Sequence, residues 1–370
     1  MRGEKHSGGR GRGASCGSDK TQRRLEIDEL YMSRALQLAR RGAGYVSPNP
    51  MVGAVVECDG RIIGEGYHRR YGEAHAEVNA INSVADSALL PRSTVYVTLE
   101  PCAHYGKTPP CAALLVRCGV KRVVIGCTDP FAKVAGRGIA MLREAGIDVT
   151  TGVLEKECRE LNRVFMTAHT LGRPYVMLKW AMSSDGYLDR KRDAAEPAQK
   201  FSTELTSAAV HRLRGLFDAV AVGAGTVNAD SPRLTVRSYA GRSPRRVILD
   251  RHGIAREDAA VFGPGTIYFC EKPRGGLPEG VEQITGSLTP DEMLRELYRR
   301  GVTSLMVEGG AAVISGFIVS GLWDEARVEI NPMLLGGEGS AHVEVPSGYV
   351  SAERMDDNLI LTVRNIAYKR

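Results

Sequence analysis

The chain has 370 residues, of which 43% are hydrophobic and 25% charged, a composition typical of globular proteins and sufficient for two domains. No stretch approaches the ~18 uninterrupted apolar residues of a membrane-spanning helix, and the N-terminus lacks the apolar core of a secretory signal. These features argue against a membrane or secreted protein, and we expect a cytoplasmic location.

The net charge of +6 is concentrated near the N-terminus. Residues 1–24 hold seven of the 49 Lys and Arg residues but only two of the 43 Asp and Glu residues, so the remaining chain is almost neutral. A nearly neutral globular region lacks the excess positive charge that attracts nucleic acid. Residues 1–24 are also rich in glycine and poor in apolar side chains, and we expect them to form a disordered basic tail. A non-functional extension is favoured over a transit peptide or an RNA-binding arm.

Helices and strands alternate in the first half of the chain. Asp28 is expected to cap a helix that ends near Arg41, before Gly42. The pattern predicts strands over 51–57, 61–67, 94–99, 122–126 and 147–151, and helices over 76–86, 112–118 and 139–144. This alternation predicts a three-layer α/β domain over residues 25–171.

Gly172 and Pro174 interrupt this pattern, and a second series follows over residues 172–370. The expected strands are 175–182, 219–223, 246–249, 266–270, 304–307 and 326–330. The expected helices are 205–216, 290–300 and 311–320. The second half is therefore predicted to be another α/β domain, without a detectable repeat of the first.

The eight cysteines suggest thiols or metal ligands in a reducing compartment, because no secretory signal accompanies them. His75, Cys102 and Cys111 offer an imidazole and two thiolates, which zinc prefers, and three ligands leave one position open for catalysis. His-x-Glu with Pro-Cys-x-x-Cys is the signature of zinc nucleobase deaminases, in which the glutamate, here Glu77, moves protons and is not a ligand. This chain departs from the short spacing, because eight residues separate Cys102 from Cys111. The alternatives are unrelated buried cysteines or a closed structural zinc whose fourth ligand is His68, His104, Cys118 or Cys127.

The run of residues 98–111, Thr-Leu-Glu-Pro-Cys-Ala-His-Tyr-Gly-Lys-Thr-Pro-Pro-Cys, closely resembles the bifunctional riboflavin-biosynthesis deaminase/reductase family. Residues 48–55, 129–130 and 134–138 resemble the same family. The resemblance implies a cytidine-deaminase-like first domain that removes the 2-amino group of 2,5-diamino-6-(5-phosphoribosylamino)pyrimidin-4-one. Asn49 would then hydrogen-bond the pyrimidine edge, although a turn between two prolines is the alternative. Lys107 would meet the phosphate near the helix of Cys111, with Pro110 at its first position.

Glycines in the second half give a weaker signal. Gly309-Gly310 precedes a predicted helix, where backbone amides can approach a pyrophosphate. After Gly223-Ala-Gly225, however, Asn228 stands where the dinucleotide-binding fingerprint needs its third glycine. Taken alone, such glycine pairs are more often turns and helix caps.

Three further stretches and two single residues resemble the reductase half of the same family. The stretches are residues 184–186, 226–237 and 307–310, and the single residues are Lys179 and Arg214. The resemblance implies a dihydrofolate-reductase-like α/β fold that binds NADPH and delivers hydride to ribose C1′, opening the sugar to a ribityl chain. The implied substrate contacts are Arg214, Leu234, Arg237 and Glu308. The implied cofactor contacts are Ala181, Thr226, Asp230, Gly309 and Gly310. Either Lys179 or Asp230 would handle the accompanying proton.

Two departures from the family pattern concern the second site. Lys200-Phe201-Ser202-Thr203 stands in place of a Trp-Ile-Thr-Ser/Gly stretch, after a polar insert over residues 190–199. Arg251 stands where a small hydroxyl residue often follows Val-Ile-Leu-Asp. Arg251 could pair with the 2′-phosphate of NADPH; solvent exposure without a role is the alternative.

The sequence therefore predicts a bifunctional enzyme that uses Zn²⁺ and NADPH on a small-molecule pyrimidine ribonucleotide. No nucleic-acid or membrane partner is expected, and a homo-oligomer is left open. One alternative is a deaminase-only homologue with a degenerate reductase domain. Another is an RNA-editing protein that uses the basic tail, against which the nearly neutral globular region and the long loop between Cys102 and Cys111 count.

Overall fold

The computed structural model describes residues 16–103, 109–130, 136–193, 196–286 and 289–366. The chain divides into two compact units. The first unit comprises Met1–Ala43 and Met51–Asn162, and the second comprises Gly44–Pro50 and Arg163–Arg370. Both have the predicted α/β class. The predicted change of domain after residue 171 stays a prediction. No helix in the described part of the chain is long and apolar enough to span a membrane.

The first unit is built on a five-stranded sheet of order β2-β1-β3-β4-β5, in which β1 is antiparallel to both neighbours and the remaining pairs are parallel. The strands are β1 Gly53–Cys58, β2 Arg61–Tyr67, β3 Thr94–Leu99, β4 Arg122–Cys127 and β5 Asp148–Thr151. The helices are α1 Cys16–Ala39, α2 Ala76–Asn82, α3 Cys111–Arg117, α4 Arg137–Glu144 and α5 Glu155–Leu161, with 3-10 turns at Arg40–Gly42 and Ser87–Arg92.

Alternation along the strands gives this sheet two covered faces. Val95 and Val97 of β3 share a core with apolar residues of α2, α3 and α4. Tyr96, which alternates with them, donates a hydrogen bond to Asp28 of α1 at 3.1 Å from the other face. Successive side chains of a strand point to opposite faces, so helices cover both sides of the sheet. The predicted three-layer arrangement is therefore confirmed.

The first helix differs from its prediction. It begins at Cys16, within the segment expected to be a tail, and Asp28 lies inside it. Asp28 is therefore not the N-cap. Its carboxylate instead accepts two hydrogen bonds from the guanidinium of Arg122, at 2.6 and 2.7 Å. Both side chains are buried, so the pair ties α1 to the sheet. Residues 1–15 lie outside the described residues, and their disorder stays a prediction.

The second unit contains a nine-stranded sheet of order β10-β9-β8-β7-β11-β6-β12-β14-β13, parallel except at β14, which is antiparallel to both neighbours. The strands are β6 Tyr175–Ser183, β7 Ala219–Gly223, β8 Arg245–Leu249, β9 Ile267–Cys270, β10 Glu282–Thr285, β11 Ser304–Val307, β12 Glu325–Asn331, β13 Tyr349–Met355 and β14 Asn358–Arg364. The helices are α6 Arg163–Leu171, α7 Glu204–Arg214, α8 Ala224–Asp230, α9 Pro290–Arg299 and α10 Ala311–Ser320.

The central strands of this sheet are buried on both faces. Val176 and Leu178 pack with residues of α9 and α10 in one core. Tyr175 and Met177 pack in a second core that includes Val227 of α8. Parallel strands buried in this way bring their carboxyl ends to one edge, where ligands of α/β proteins bind.

The ion pair between Asp28 and Arg122 generates a stability prediction. Arg122→Met leaves the buried carboxylate without its bidentate partner and should lower the free energy of unfolding by about 3–5 kcal/mol. The control is Arg24→Gln, which removes an exposed pair with Asp148 and should change it by less than about 1 kcal/mol. Urea denaturation followed by circular dichroism measures both variants. Equal losses would contradict the structural role given to Arg122.

Candidate metal centre and cofactor pocket

Three side chains of the first unit form a group that can hold a metal ion. The ligand atoms of His75, Cys102 and Cys111 all lie within 4.8 Å of one another. The His75 Nδ1 atom is 3.7 Å from the Cys102 Sγ atom and 3.3 Å from the Cys111 Sγ atom. One imidazole and two thiolates match the donor set of zinc. The structure thus brings the three predicted ligands together.

Each ligand is placed at the end of a secondary-structure element. His75 occupies the N-cap position of α2, but its side chain makes no capping hydrogen bond, so the imidazole is left for another role. Cys102 follows β3, and Cys111 is the first residue of α3. The Cys111 N–H donates to the Cys102 sulfur at 3.3 Å. Hydrogen bonds with Cys111 and with His75 lower the pKa of Cys102, which favours the thiolate that a metal requires.

Glu77 is the second residue of α2 and is buried, with 3% of its surface exposed. Burial is the main reason that its pKa is raised to about 7, and the nearby Cys102 raises it further. The carboxylate hydrogen-bonds with Cys111 but is not part of the ligand group. A carboxyl group of this kind can both accept and donate a proton near neutral pH.

The structure allows a test of the closed, structural alternative. The His68 Nδ1 atom lies 3.1 Å from the carbonyl of Ala74, and the Cys127 thiol donates to the carbonyl of Thr98. Neither side chain, nor that of Cys118, joins the metal-binding group found within the described residues. His104 lies outside them. Three ligands with one remaining tetrahedral position fit a catalytic zinc better than a structural one.

Glu100 is a site residue that the sequence reasoning missed. Its buried carboxylate accepts hydrogen bonds from four backbone N–H groups at 3.0–3.4 Å, those of Asp129, Gly136, Gly138 and Ile139. A Cβ atom at Gly138 would lie 2.0 Å from the Pro101 carbonyl oxygen, so glycine permits this close approach. Glu100 therefore fixes the segment beside Cys102. The sequence signal was a carboxylate directly after an apolar strand and before Pro-Cys.

Asn49 and Lys107 are the residues predicted to contact the pyrimidine and its phosphate. Asn49 lies in the segment Gly44–Pro50, which belongs to the second unit, and its N–H donates to the Val46 carbonyl at 2.9 Å. This is the turn geometry that the flanking prolines suggested. Pro110 is the N-cap of α3 instead of its first residue. Lys107 lies outside the described residues.

A pocket of about 560 Å³ opens at the carboxyl edge of the second sheet. It brings together four predicted cofactor residues, Ala181, Thr226, Asp230 and Gly310. The Gly310 N–H donates to the Thr226 hydroxyl at 2.9 Å. A Cβ atom at Gly309 would come within 3.2 Å of Val222, so this glycine lets the strand ends approach. The geometry suits a ligand that binds backbone amides at strand ends.

The predicted substrate residues form a charged cluster in the same unit. Arg214 binds Glu308 through two hydrogen bonds of 2.6 and 2.7 Å. Burial raises the pKa of Glu308, but the hydrogen bonds from Arg214 together with the positive charges of Arg214 and Lys179 lower the pKa overall. Burial lowers the pKa of Lys179, whose charged neighbours include Glu308 and Glu329. A lysine with a lowered pKa is suited to proton transfer.

Two predicted residues lie on the chain that follows α8. Leu234 is buried and has a φ of +53°, a conformation that is uncommon for a side chain of its kind. The Arg237 N–H donates to the His211 Nδ1 atom at 3.0 Å. His211, a buried residue of α7, was missed by the sequence reasoning because its partner is 26 positions away.

The stretch Lys200-Phe201-Ser202-Thr203 is firmly held despite its departure from the family pattern. Phe201 is buried, the Ser202 hydroxyl donates to Glu329 at 2.8 Å, and Thr203 caps α7. The Asn358 side chain donates to the Phe201 carbonyl at 3.0 Å. Lys200 and the residues on either side line the pocket. The changed sequence therefore still forms an ordered wall of the pocket.

Arg251 follows β8 and is not among the pocket-lining residues. Its guanidinium is 56% exposed and lies 3.1 Å from Glu271. β8 runs parallel to β7, so Arg251 lies at the same sheet edge as Gly223, which does line the pocket. Its assignment to the cofactor stays a prediction.

Known proteins resemble this chain in both units. Residues 25–127 match the cytidine and deoxycytidylate deaminase zinc-binding region, and residues 174–358 match the RibD C-terminal domain. The riboflavin biosynthesis protein RibD of Bacillus amyloliquefaciens is 42% identical over 326 residues, which cover 84% of this chain and 86% of that protein. RibD of Escherichia coli K12 is 37% identical over 340 residues, covering 86% of this chain and 91% of that protein.

A solved structure agrees with these matches. The crystal structure of a diaminohydroxyphosphoribosylaminopyrimidine deaminase/5-amino-6-(5-phosphoribosylamino)uracil reductase from Thermotoga maritima is similar, with a TM-score of 0.85 and 38% identity. The similarity covers 92% of this chain and 99% of that one. It therefore extends over both units.

The metal site generates its own prediction. Cys102→Ser removes one of three ligands and should abolish stoichiometric zinc binding, measured by atomic emission after dialysis. Cys118→Ser is the control, because this half-buried thiol lies outside the group; it should retain the zinc of the unaltered chain. Zinc retention in the Cys102 variant would contradict the assignment of this ligand.

Proposed function

This chain belongs to the RibD family of bifunctional riboflavin-biosynthesis enzymes, and from that premise we propose that the two sites described above carry the family's two reactions. The first unit deaminates 2,5-diamino-6-(5-phosphoribosylamino)pyrimidin-4-one hydrolytically with zinc. The second unit then reduces the ribosyl group of the product to ribityl with NADPH. The observation that carries the proposal is Glu77, buried beside three zinc ligands that leave one position open.

Glu77 is assigned the proton transfers of the deamination. Zinc, when bound by His75, Cys102 and Cys111, acts as a Lewis acid that makes a water molecule nucleophilic near neutral pH. Glu77 accepts a proton as the water oxygen attacks the carbon that bears the 2-amino group. It passes this proton to the ring nitrogen, then takes the remaining proton of the newly attached hydroxyl and gives it to the amino group, which leaves as ammonia while the carbonyl forms. Asn49 and Lys107 are proposed to bind the ring edge and the phosphate.

The reductase chemistry is assigned to the charged cluster and the pocket of the second unit. NADPH supplies a hydride to ribose C1′, and Ala181, Thr226, Asp230, Gly309 and Gly310 are proposed to bind it. Arg214, Leu234, Arg237 and Glu308 are proposed to hold the ribonucleotide, since guanidinium groups bind phosphate well.

Opening the sugar ring requires a proton on the ring oxygen. We assign it to Lys179 instead of Asp230, because the charged neighbours of Lys179 include Arg214 and Glu308, which are proposed to hold the substrate. Asp230 pairs with Arg192 on the wall of the cofactor pocket.

The deaminase-only alternative is not favoured. The similarity to RibD proteins extends over both units, and the RibD C-terminal domain match covers residues 174–358. The departure at residues 200–203 keeps a hydroxyl, Ser202, on Glu329.

The zinc thiolates also bear on where the enzyme works. Cys102 and Cys111 are free thiols, which persist in a reducing compartment. We therefore place the enzyme in the cytoplasm, where it acts on a small-molecule nucleotide. A homo-oligomer is compatible with this proposal.

Glu77→Gln tests the deaminase assignment. The variant should keep its zinc, because Glu77 is not a ligand, and should release ammonia about 10²–10⁴-fold more slowly, because the proton acceptor is gone. Zinc content and ammonia release measure the two effects. The control reaction supplies the deaminated nucleotide with NADPH, whose oxidation should proceed at the unaltered rate. Loss of zinc from the variant would contradict the role given to Glu77.

Arg251→Ala tests the preference for NADPH. If Arg251 forms a charge-assisted pair with the 2′-phosphate, its loss should raise the KM for NADPH by about ten- to a hundredfold. The KM for NADH should hardly change, because NADH lacks that phosphate. Arg256→Ala is the control, since Arg256 is a similarly exposed arginine that pairs with Asp258. Equal changes with both cofactors would remove Arg251 from the cofactor site.

A further inference from the structure

The polar insert that precedes the changed motif forms one wall of the cofactor pocket. Eight residues between the end of β6 and the start of α7 line the pocket, namely Leu188, Asp189, Arg192, Ala198, Gln199, Lys200, Phe201 and Ser202. The α8 residues Thr226 and Asp230 line the same pocket. Residues of the insert therefore form part of the pocket wall.

Arg192 joins the insert to α8. Its Nη2 atom donates to Asp230 Oδ1 at 2.9 Å, its Nε atom donates to Asp189 Oδ2 at 2.6 Å, and its Nη1 atom donates to the Glu196 carbonyl at 2.6 Å. All three guanidinium nitrogens are used, and only 9% of the side chain is exposed. A planar guanidinium with fixed donors can bind two carboxylates in this way, whereas an ammonium group matches the geometry less well.

Asp189 makes this arrangement rigid. Its Oδ1 atom accepts hydrogen bonds from the backbone N–H groups of Arg190 and Gln199, at 2.9 and 2.8 Å. The Asp189 carbonyl in turn accepts from the Ser340 N–H at 2.9 Å. Arg192 is thus attached to a carboxylate that is itself fixed to two parts of the loop. Through its hydrogen bond to Asp230, the fixed guanidinium of Arg192 holds the Asp230 carboxylate in place.

Asp230 uses one carboxylate oxygen in the pair. Oδ1 accepts from Arg192, and within the described residues no hydrogen bond to Oδ2 is found. The side chain of Asp230 is 39% exposed and lines the pocket. An ionised carboxylate with one fixed oxygen can offer the other to an O–H or N–H donor of a ligand.

We propose that Arg192 is a positioning residue of the reductase, which holds Asp230 so that its second carboxylate oxygen accepts a hydrogen bond from a hydroxyl or amide donor of the nicotinamide cofactor. This inference rests on the proposed function. It predicts that Arg192 acts on cofactor binding through Asp230, and that it does not distinguish NADPH from NADH, since the carboxamide and the nicotinamide-ribose hydroxyls are donors in both cofactors, which differ only at the 2′ position of the adenosine ribose.

The test uses the full-length chain with zinc. Arg192→Met should weaken the binding of NADPH and of NADH by the same factor, about ten- to a hundredfold, in equilibrium titrations of cofactor fluorescence. The KM for the cofactor should rise with it, while kcat changes by less than about threefold. Arg192→Lys keeps the charge but not the pairing with two carboxylates, so its cofactor affinity should lie between that of Arg192→Met and that of the unaltered chain.

Arg190→Met is the matched control. Arg190 lies in the same insert and pairs with Glu196 at 2.9 Å, but it is 43% exposed and does not line the pocket. Its loss should change cofactor affinity by less than about twofold. Ammonia release by the first unit serves as the folding control for every variant, and the Lys variant carries the test if the Met variant does not fold.

A double-mutant cycle separates positioning from a general effect on stability. If Arg192 acts through Asp230, the Arg192→Met/Asp230→Asn double variant should bind NADPH no more weakly than Asp230→Asn alone. Multiplying losses, or an Arg192→Met variant that binds NADPH as the unaltered chain does, would overturn the inference. A failure of the unaltered chain to oxidise NADPH with the deaminated nucleotide would instead overturn the proposed function.

Discussion

A charged side chain withdrawn from water has to be paired or change its protonation, and both units are organised by this requirement. Asp28 and Arg122 satisfy it by pairing, which ties the first helix to its sheet. Arg214 and Glu308 do the same in the second unit. Glu77 forms no ion pair with a lysine or arginine among the described residues, and burial raises its pKa to about 7. The paired groups therefore keep their charges, and the acid without such a partner is the one that can exchange a proton.

In each unit a carboxylate accepts hydrogen bonds from backbone N–H groups and so holds an irregular segment beside the candidate site. Glu100 gathers four N–H groups and so fixes the segment that lies against Pro101, next to Cys102. Asp189 gathers two N–H groups and the guanidinium of Arg192, and so fixes the insert against Asp230. Backbone donors satisfy a buried carboxylate without bringing a second mobile charge. A loop held in this way can carry a ligand with the precision of a helix or strand.

The sequence predicted the metal ligands because their spacing and residue types are short-range signals, and it predicted the central strands because buried strands read as apolar runs. It did not predict the hairpin of β13 and β14, since β13 is exposed along most of its length and lacks an apolar alternation. It placed the start of α1 too late, because Asp28 has a typical capping side chain whose partner, Arg122, is 94 positions away. The pairing of Arg192 with Asp230 spans 38 positions and was invisible for the same reason.

The altered stretch over residues 200–203 shows which parts of a motif the fold uses. Asn331 and Asn358 both donate to the Phe201 carbonyl at 3.0 Å, a group that any residue at this position would provide. Ser202 contributes a hydroxyl to Glu329, and serine and threonine are equivalent in that respect. The side chain at position 200 only borders the pocket. A departure at position 200 therefore changes the surface of the pocket while leaving the hydrogen bonds that hold its wall in place. For this reason the fold tolerates the loss of a familiar side chain at this position.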